Sequence, residues 1–329
     1  MTLAKKMSLQ EICLPIEPDL KEFNAVLRRE LASTDPLIQG IHNHMLKMSG
    51  KFLRPILVLL SSKIQSGADR AAVIRLAVAA ELIHTATLVH DDIIDDSDFR
   101  RNQPSVHSKW GREISIVSGD YLYAKAFVIL ANFGDSKISQ AFATCAHIMC
   151  EGELKQIEKR KDFSLPEEEY LRIIHKKTAA LFQAACMGGA TLAGAGPESV
   201  ERLRRFGYGL GMAFQIVDDC MDLTMGHEAL GKKAGLDLSK SDMTLPILYL
   251  FSSLDASRKE DLLNKMQNSG ADLLEDIRAL ALETGAISRA MDRARVFAQE
   301  ALAAAKELPA SASRDSLAQL VDYCLDRVR

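Results

Sequence analysis

Two groups of three aspartates repeat one spacing in this 329-residue chain: Asp91, Asp92 and Asp95 in DDIID, and Asp218, Asp219 and Asp222 in DDCMD. On a helix, residues i and i+4 share a face. Asp91 therefore stands with Asp95 and Asp218 with Asp222, while Asp92 and Asp219 turn about 100° away. Aspartate is a poor helix former, and like charges four apart repel. Meeting that cost twice calls for a cation. Oxygen-only carboxylate donors suit Mg²⁺, which keeps part of its water and binds substrate phosphates. No histidine or cysteine shares the face to favour a softer metal. Neither cluster has the glycine and terminal glutamate of a calcium EF-hand loop. One such cluster reads equally well as a solvated acidic helix end; two matched clusters do not.

Basic residues stand close by in sequence. Lys51 and Arg54 lie in GKFLRP ahead of a helix start, where backbone N–H groups add anion affinity. Arg100 and Arg101 follow the first cluster, Lys176 and Lys177 precede Thr178, and Lys232 and Lys233 follow the second cluster. Arginine forks match phosphate oxygens and lysine acts as a point charge. Any one pair alone is an ordinary solvated pair. Their distribution beside both acidic clusters points to a metal-bound phosphate group. His84 and His90 lie on a largely apolar approach and read, by themselves, as hydrogen-bonded core residues.

The elements that must carry these residues are helices. Glycine (19) and proline (9) are sparse, so long helices meet few breakers. Strong helix formers recur throughout, and period-two alternation is scarce. The expectation is an all-α, single-domain bundle over residues 1–329. Helices are expected at 17–32, 37–47, from about Pro55, at 71–96, 114–132, 136–161, 167–193, 198–224, 243–253, 258–268, 272–283, 285–306 and 313–327. The segment 71–96 is apolar almost all round and belongs in the centre. The longest stretches without a helix, 97–113 and 225–242, each follow an aspartate cluster and read as polar loops over one site.

A net charge of −3 without a basic stripe gives no sign of nucleic-acid binding. The six cysteines form no C-x-x-C pair and read as reduced, small apolar residues. The N-terminus lacks the apolar core of a signal peptide, and no stretch approaches about 18 uninterrupted apolar residues. The run around Tyr121 to Phe133 contains Lys125 and reads as a buried helix. A cytoplasmic protein without stable membrane insertion is expected.

From about residue 37 onward the chain resembles the trans-polyprenyl diphosphate synthases. The resemblance rests on GKFLRP (50–55), HTATLVHDDIIDDSDFRR (84–101), SGDYLYAKAF (118–127), EGELKQ (151–156), HKKTAALF (175–182), FQIVDDCMD (214–222), GKKAGLDL (231–238) and TLP (244–246). It implies an all-α fold with a central cavity, usually dimeric, that condenses isopentenyl diphosphate with an allylic diphosphate using Mg²⁺. It further implies that Lys51, Arg54, His84 and Arg101 hold isopentenyl diphosphate, and that Arg100, Lys177, Thr178, Gln215 and Lys232 contact the allylic diphosphate. Asp91, Asp95 and Asp218 become the main metal ligands, with Asp92, Asp219 and Asp222 beside them. A homodimer is implied, and a heterodimer is the alternative.

Two departures stand out. Ser241 and Asp242 occupy positions where the family commonly has Gly-Lys, so a lysine near the diphosphate is missing; Lys240 is a candidate partial substitute. RRNQP replaces the commoner RRGxP. Product length in the family depends on bulk before the first cluster. Ala86 lies five residues before Asp91, about 7.5 Å along a helix, and Thr87 is its neighbour. Both are small, and the resemblance therefore implies a product longer than a geranylgeranyl chain. The alternatives are a short-chain farnesyl or geranylgeranyl synthase and a subunit of a heteromeric synthase. A terpene cyclase is disfavoured by the second DDxxD and by GKFLRP.

Overall fold

A helix that is apolar all round folds stably only when other helices surround it. The computed structural model describes residues 7–48, 50–134, 136–224, 240–267 and 273–328, and it is helical nearly throughout. In chain order the helices are α1 (Leu9–Ile12), α2 (Glu17–Glu30), α3 (Pro36–Lys47), α4 (Leu53–Ser62), α5 (Arg70–Ile94), α6 (Val106–Trp110), α7 (Arg112–Ala131) and α8 (Ser136–Glu158). They continue as α9 (Glu167–Ile174), α10 (Ala180–Leu192), α11 (Pro197–Thr224), α12 (Leu245–Ser253), α13 (Ala256–Gln267), α14 (Leu273–Glu283), α15 (Ala286–Lys306) and α16 (Ala312–Leu325).

Helix α5 is the central post, with α2, α4, α7 and α10 packed around it. Its Ile74, Leu76, Leu82 and Ile83 are at most 1% exposed, and each such burial contributes about 1.5–3 kcal/mol. Asp69 starts the helix by accepting from the Ala71 N–H at 3.0 Å. Helix α11 packs on α10 and on α15, and α16 closes the bundle against α15, α11 and α4. One connected apolar core runs from Ile12 to Cys324.

The structure departs from the sequence expectation in three places. The segment 97–113 is not free of structure: β1 (Phe99–Arg100) and β2 (Gln103–Pro104) form a hairpin, and α6 follows it. Arg101 and Asn102 at its tip have φ of 51° and 60°, the left-handed pair a two-residue hairpin turn needs and asparagine tolerates. The expected single helix over 167–193 is divided by a π-helical turn, His175–Ala179. Helix α7 is not a buried helix, because Ile116, Val117 and Val128 are each at least 47% exposed. Helices α5 and α7 are long and apolar enough to cross a membrane by length and composition alone, but most of α5 lies inside the fold. Of the 225–242 loop, residues 225–239, with Lys232 and Lys233, lie outside the described residues.

Candidate active site

Both aspartate clusters sit at helix C-termini, α5 ending at Ile94 with Asp95 as its cap, and α11 ending at Thr224. Carboxylates there face the negative end of the helix dipole. The fold meets that penalty with cations drawn from elsewhere. Arg100, on the hairpin, donates from Nε to Asp92 Oδ1 at 2.8 Å. Arg160 and Lys240 reach Asp95 at 3.4 and 2.8 Å. Arg327 reaches Asp218 at 2.7 Å.

A cavity of about 1000 Å³ opens between these helix ends. Its polar lining includes Lys51, Arg54, His84, Asp91, Asp95, Arg100, Arg101, Lys177, Thr178, Gln215 and Asp218. Its apolar lining includes Leu88, Ile94, Tyr123, Met149, Leu154 and Ile157. Thr87 stands in the wall and Ala86 does not; Ala86 is fully buried in the core. Three of the six aspartates thus line the main cavity. Asp92 and Asp222 do not, and Asp219 lines a smaller adjoining cavity of about 90 Å³.

The π turn aims the lysines. Lys176 turns outward to Glu151 at 2.7 Å, whereas Lys177 turns into the cavity and meets Glu153 Oε2 at 2.5 Å. Such turns recur at functional sites because one extra residue per turn re-aims side chains. Two glycines make room for it. A Cβ on Gly152 would lie 2.8 Å from the Lys177 nitrogen, and one on Gly211 would lie 2.6 Å from the Ala179 Cα. Thr178 Oγ1 donates to Gln215 Oε1 at 2.6 Å, and Gln215 Nε2 to Asp219 Oδ1 at 2.8 Å. Tyr170 completes the chain with a 2.6 Å bond to Asp219 Oδ2.

The donor set fits a hard divalent cation. Glu153 Oε1 is buried without a hydrogen bond among the described residues. Burial, opposed by Lys177 and reinforced by Glu153 and Asp95, pushes the Asp91 carboxyl up to about 6. Among the described residues no three ligands form a ready-made cation shell. That suits a metal that takes only one or two carboxylates and fills the rest with water and phosphate oxygens.

Also in the lining, Arg54 donates from Nη1 to His84 Nε2 at 3.2 Å. Burial, then Arg54, Arg101 and Arg100, hold His84 well below its ordinary value. It is a neutral imidazole that orients Arg54 rather than a cation. Burial also pulls Arg54 down to about 10, and its Nε is buried without an acceptor among the described residues. Lys51 lies over the Tyr323 ring and Arg327 over Phe214.

Sequence reasoning missed Glu81, Glu153, Tyr323 and Arg327, all of which line the cavity. Glu81 carried a signal, as the lone acid in an apolar run three residues before His84. Burial pushes its carboxyl up to about 7, against Arg54 and Arg101. The raised value means the folded state binds the proton more tightly than the unfolded chain. Stability from this group is full below pH 4.5, its ordinary value, and declines as pH rises toward 7. Glu81→Gln should therefore gain on the wild type by about 3 kcal/mol between pH 5 and 8. Urea unfolding across that range reads it, and parallel pH slopes would refute it.

The polyprenyl synthetase family model matches residues 35–281. The chain is 33% identical over 320 residues to the geranyl-diphosphate-specific all-trans-nonaprenyl-diphosphate synthase of Rhodobacter capsulatus, covering 97% of this chain and 98% of that one. It is 40% identical over 246 residues to component 2 of the heptaprenyl diphosphate synthase of Geobacillus stearothermophilus, covering 75% and 77%. The fold matches the polyprenyl synthase of Caulobacter crescentus, solved with calcium and isoprenyl diphosphate, at a TM-score of 0.93 and 32% identity over 99% of both chains.

Proposed function

This chain belongs to the polyprenyl synthetase family and has its all-α isoprenoid-synthase fold; we propose that it condenses isopentenyl diphosphate with an allylic diphosphate, repeatedly, to give an all-trans product longer than a geranylgeranyl chain. The carrying observation is the cavity, whose lining combines charged side chains suited to a diphosphate with apolar ones suited to a hydrocarbon chain. The nonaprenyl and heptaprenyl relatives support the long product.

Asp91, Asp95 and Asp218 would hold Mg²⁺, which when bound supplies positive charge to the departing diphosphate. Lys177, Arg100, Thr178 and Gln215, with Lys232, bind the allylic diphosphate. Lys177 brings a fixed charge to its oxygens as the carbon–oxygen bond breaks. Lys51, Arg54 and Arg101 hold isopentenyl diphosphate, with His84 orienting Arg54. The apolar wall keeps water from the allylic cation. The isopentenyl double bond attacks that cation, a carbon–carbon bond forms, and a proton leaves to the released diphosphate.

The test uses the purified chain with Mg²⁺, labelled isopentenyl diphosphate and geranyl, farnesyl or geranylgeranyl diphosphate in turn. A ladder ending at one long prenol supports the reading. No incorporation would favour the heteromeric alternative, which the component 2 relative keeps open. The exposed apolar face of α7 supports pairing with a second copy. A cytoplasmic location belongs to the same proposal.

Of the two length-control candidates, Thr87 stands in the cavity wall and Ala86 in the core. A phenylalanine at Thr87 enters the cavity and should shorten the product by at least one isoprene unit, read by chromatography of the dephosphorylated prenols. One at Ala86 overpacks the core instead, at a cost of about 1–3 kcal/mol. An unchanged product from Thr87→Phe would place the floor elsewhere.

A further inference from the structure

Asp242, the residue that breaks the family pattern, is buried rather than solvated, at 4% exposure. Its Oδ1 accepts from Arg160 Nε at 2.8 Å and its Oδ2 from Gln156 Nε2 at 3.0 Å. Gln156 lies in the last turn of α8 and Arg160 in the turn that follows it. The backbone fastens the same two segments together, because the Lys161 N–H donates to the Ser241 carbonyl at 2.9 Å. Lys161 and Ser241 have φ of 66° and 59°. Side-chain-bearing residues hold that conformation only where their surroundings impose it. Two turns distant in sequence are thus locked into one junction.

The junction points at the site. Arg160 spends Nε on Asp242 and extends Nη2 to Asp95 Oδ1 at 3.4 Å. Lys240, two residues before Asp242, takes Asp95 Oδ2 at 2.8 Å. A planar guanidinium bridges two carboxylates in fixed geometry, which an ammonium does not do. We propose that Arg160, anchored by Asp242, is a positioning residue for Asp95: it fixes Oδ1 and so presents Oδ2, now held by Lys240, to the catalytic cation. Lys240 then becomes available to the diphosphate when the cation takes its place. The inference rests on the proposed function and deepens it. It also assigns Asp242 a role opposite to a lost lysine, because a lysine there would face Arg160.

The experiment compares wild type with Arg160→Ala, Arg160→Lys, Asp242→Asn, Asp242→Lys and the Arg160→Met/Asp242→Lys double variant. Two quantities are read: calorimetric binding of inorganic diphosphate in a Mg²⁺ series, and the Mg²⁺ concentration giving half-maximal turnover. Loss of a residue that orients a metal ligand weakens metal affinity by about tenfold or more. Arg160→Ala should raise the Mg²⁺ requirement in both measurements by that factor, with the KM for isopentenyl diphosphate changed less than twofold. Arg160→Lys should not rescue it. Asp242→Lys should be at least as impaired, and the double variant should stay impaired, because neither keeps an anchored guanidinium on Asp95. If Arg160→Ala fails to fold, Asp242→Asn carries the test with a smaller shift in the same direction. A fall in Tm with no change in Mg²⁺ dependence would overturn the proposal, since a merely structural ion pair would behave so. Absence of prenol from the wild type would count against the proposed function instead, and the calorimetric series would still decide the role of Arg160.

Discussion

Asp91→Asn should cost this protein its activity and none of its stability. The side chain stands at the negative end of α5, in a wall that also holds Asp95 and Glu153. Among the described residues it makes no hydrogen bond or ion pair within 4 Å, while Asp92 and Asp95 are both paired with cations. A charge placed there without a partner is a folding cost, and it persists for what it binds. The amide keeps the shape, removes the charge and weakens the cation. Metal-ion stabilisation of a leaving group is worth several kcal/mol, so kcat/KM should fall by about 10³ or more. The Tm without Mg²⁺ should stay level or rise. Activity within tenfold of wild type would remove Asp91 from the metal site.

Lys177→Ala should lose both. Burial opposes the Lys177 charge, but Asp91 and Glu153 outweigh it and raise its ammonium above the ordinary range. Its Nζ is 2.5 Å from Glu153 Oε2. Truncation removes a fixed cation from the departing diphosphate, an effect of about 10²–10³ on kcat. It also strands Glu153 beside Asp91, and an uncompensated carboxylate in a largely buried pair costs about 3 kcal/mol. Adding Glu153→Gln should restore the stability and leave the activity lost, because the two effects have different causes. Denaturant unfolding and steady-state kinetics on the two variants separate them. Recovery of turnover in the double variant would mean that Lys177 acts only on Glu153.

The sequence by itself determined the helices, because their apolar spacing and sparse breakers act locally. The central place of α5 followed from its apolar character on every side. The first DDxxD cluster was legible for the same reason, since Asp91 and Asp95, four apart, both face the cavity, whereas in the second Asp218 lines it and Asp222 is buried away from it. Local spacing says nothing about pairing across the fold. Asp242 meets Arg160 82 residues away, and Asp218 meets Arg327 from the far end of the chain. Glu153 enters the site because Gly152 lets the π turn come close. That turn is invisible to periodicity, since its one extra residue changes the aim of Lys177 without changing which residues are apolar. The same holds for Ala86 and Thr87, adjacent in sequence and small alike. The rotation of α5 about its own axis, set by packing on α4, α7 and α10, puts one in the core and the other in the cavity wall. Local spacing decided which side chains travel together, and the packing of distant helices decided what each of them faces.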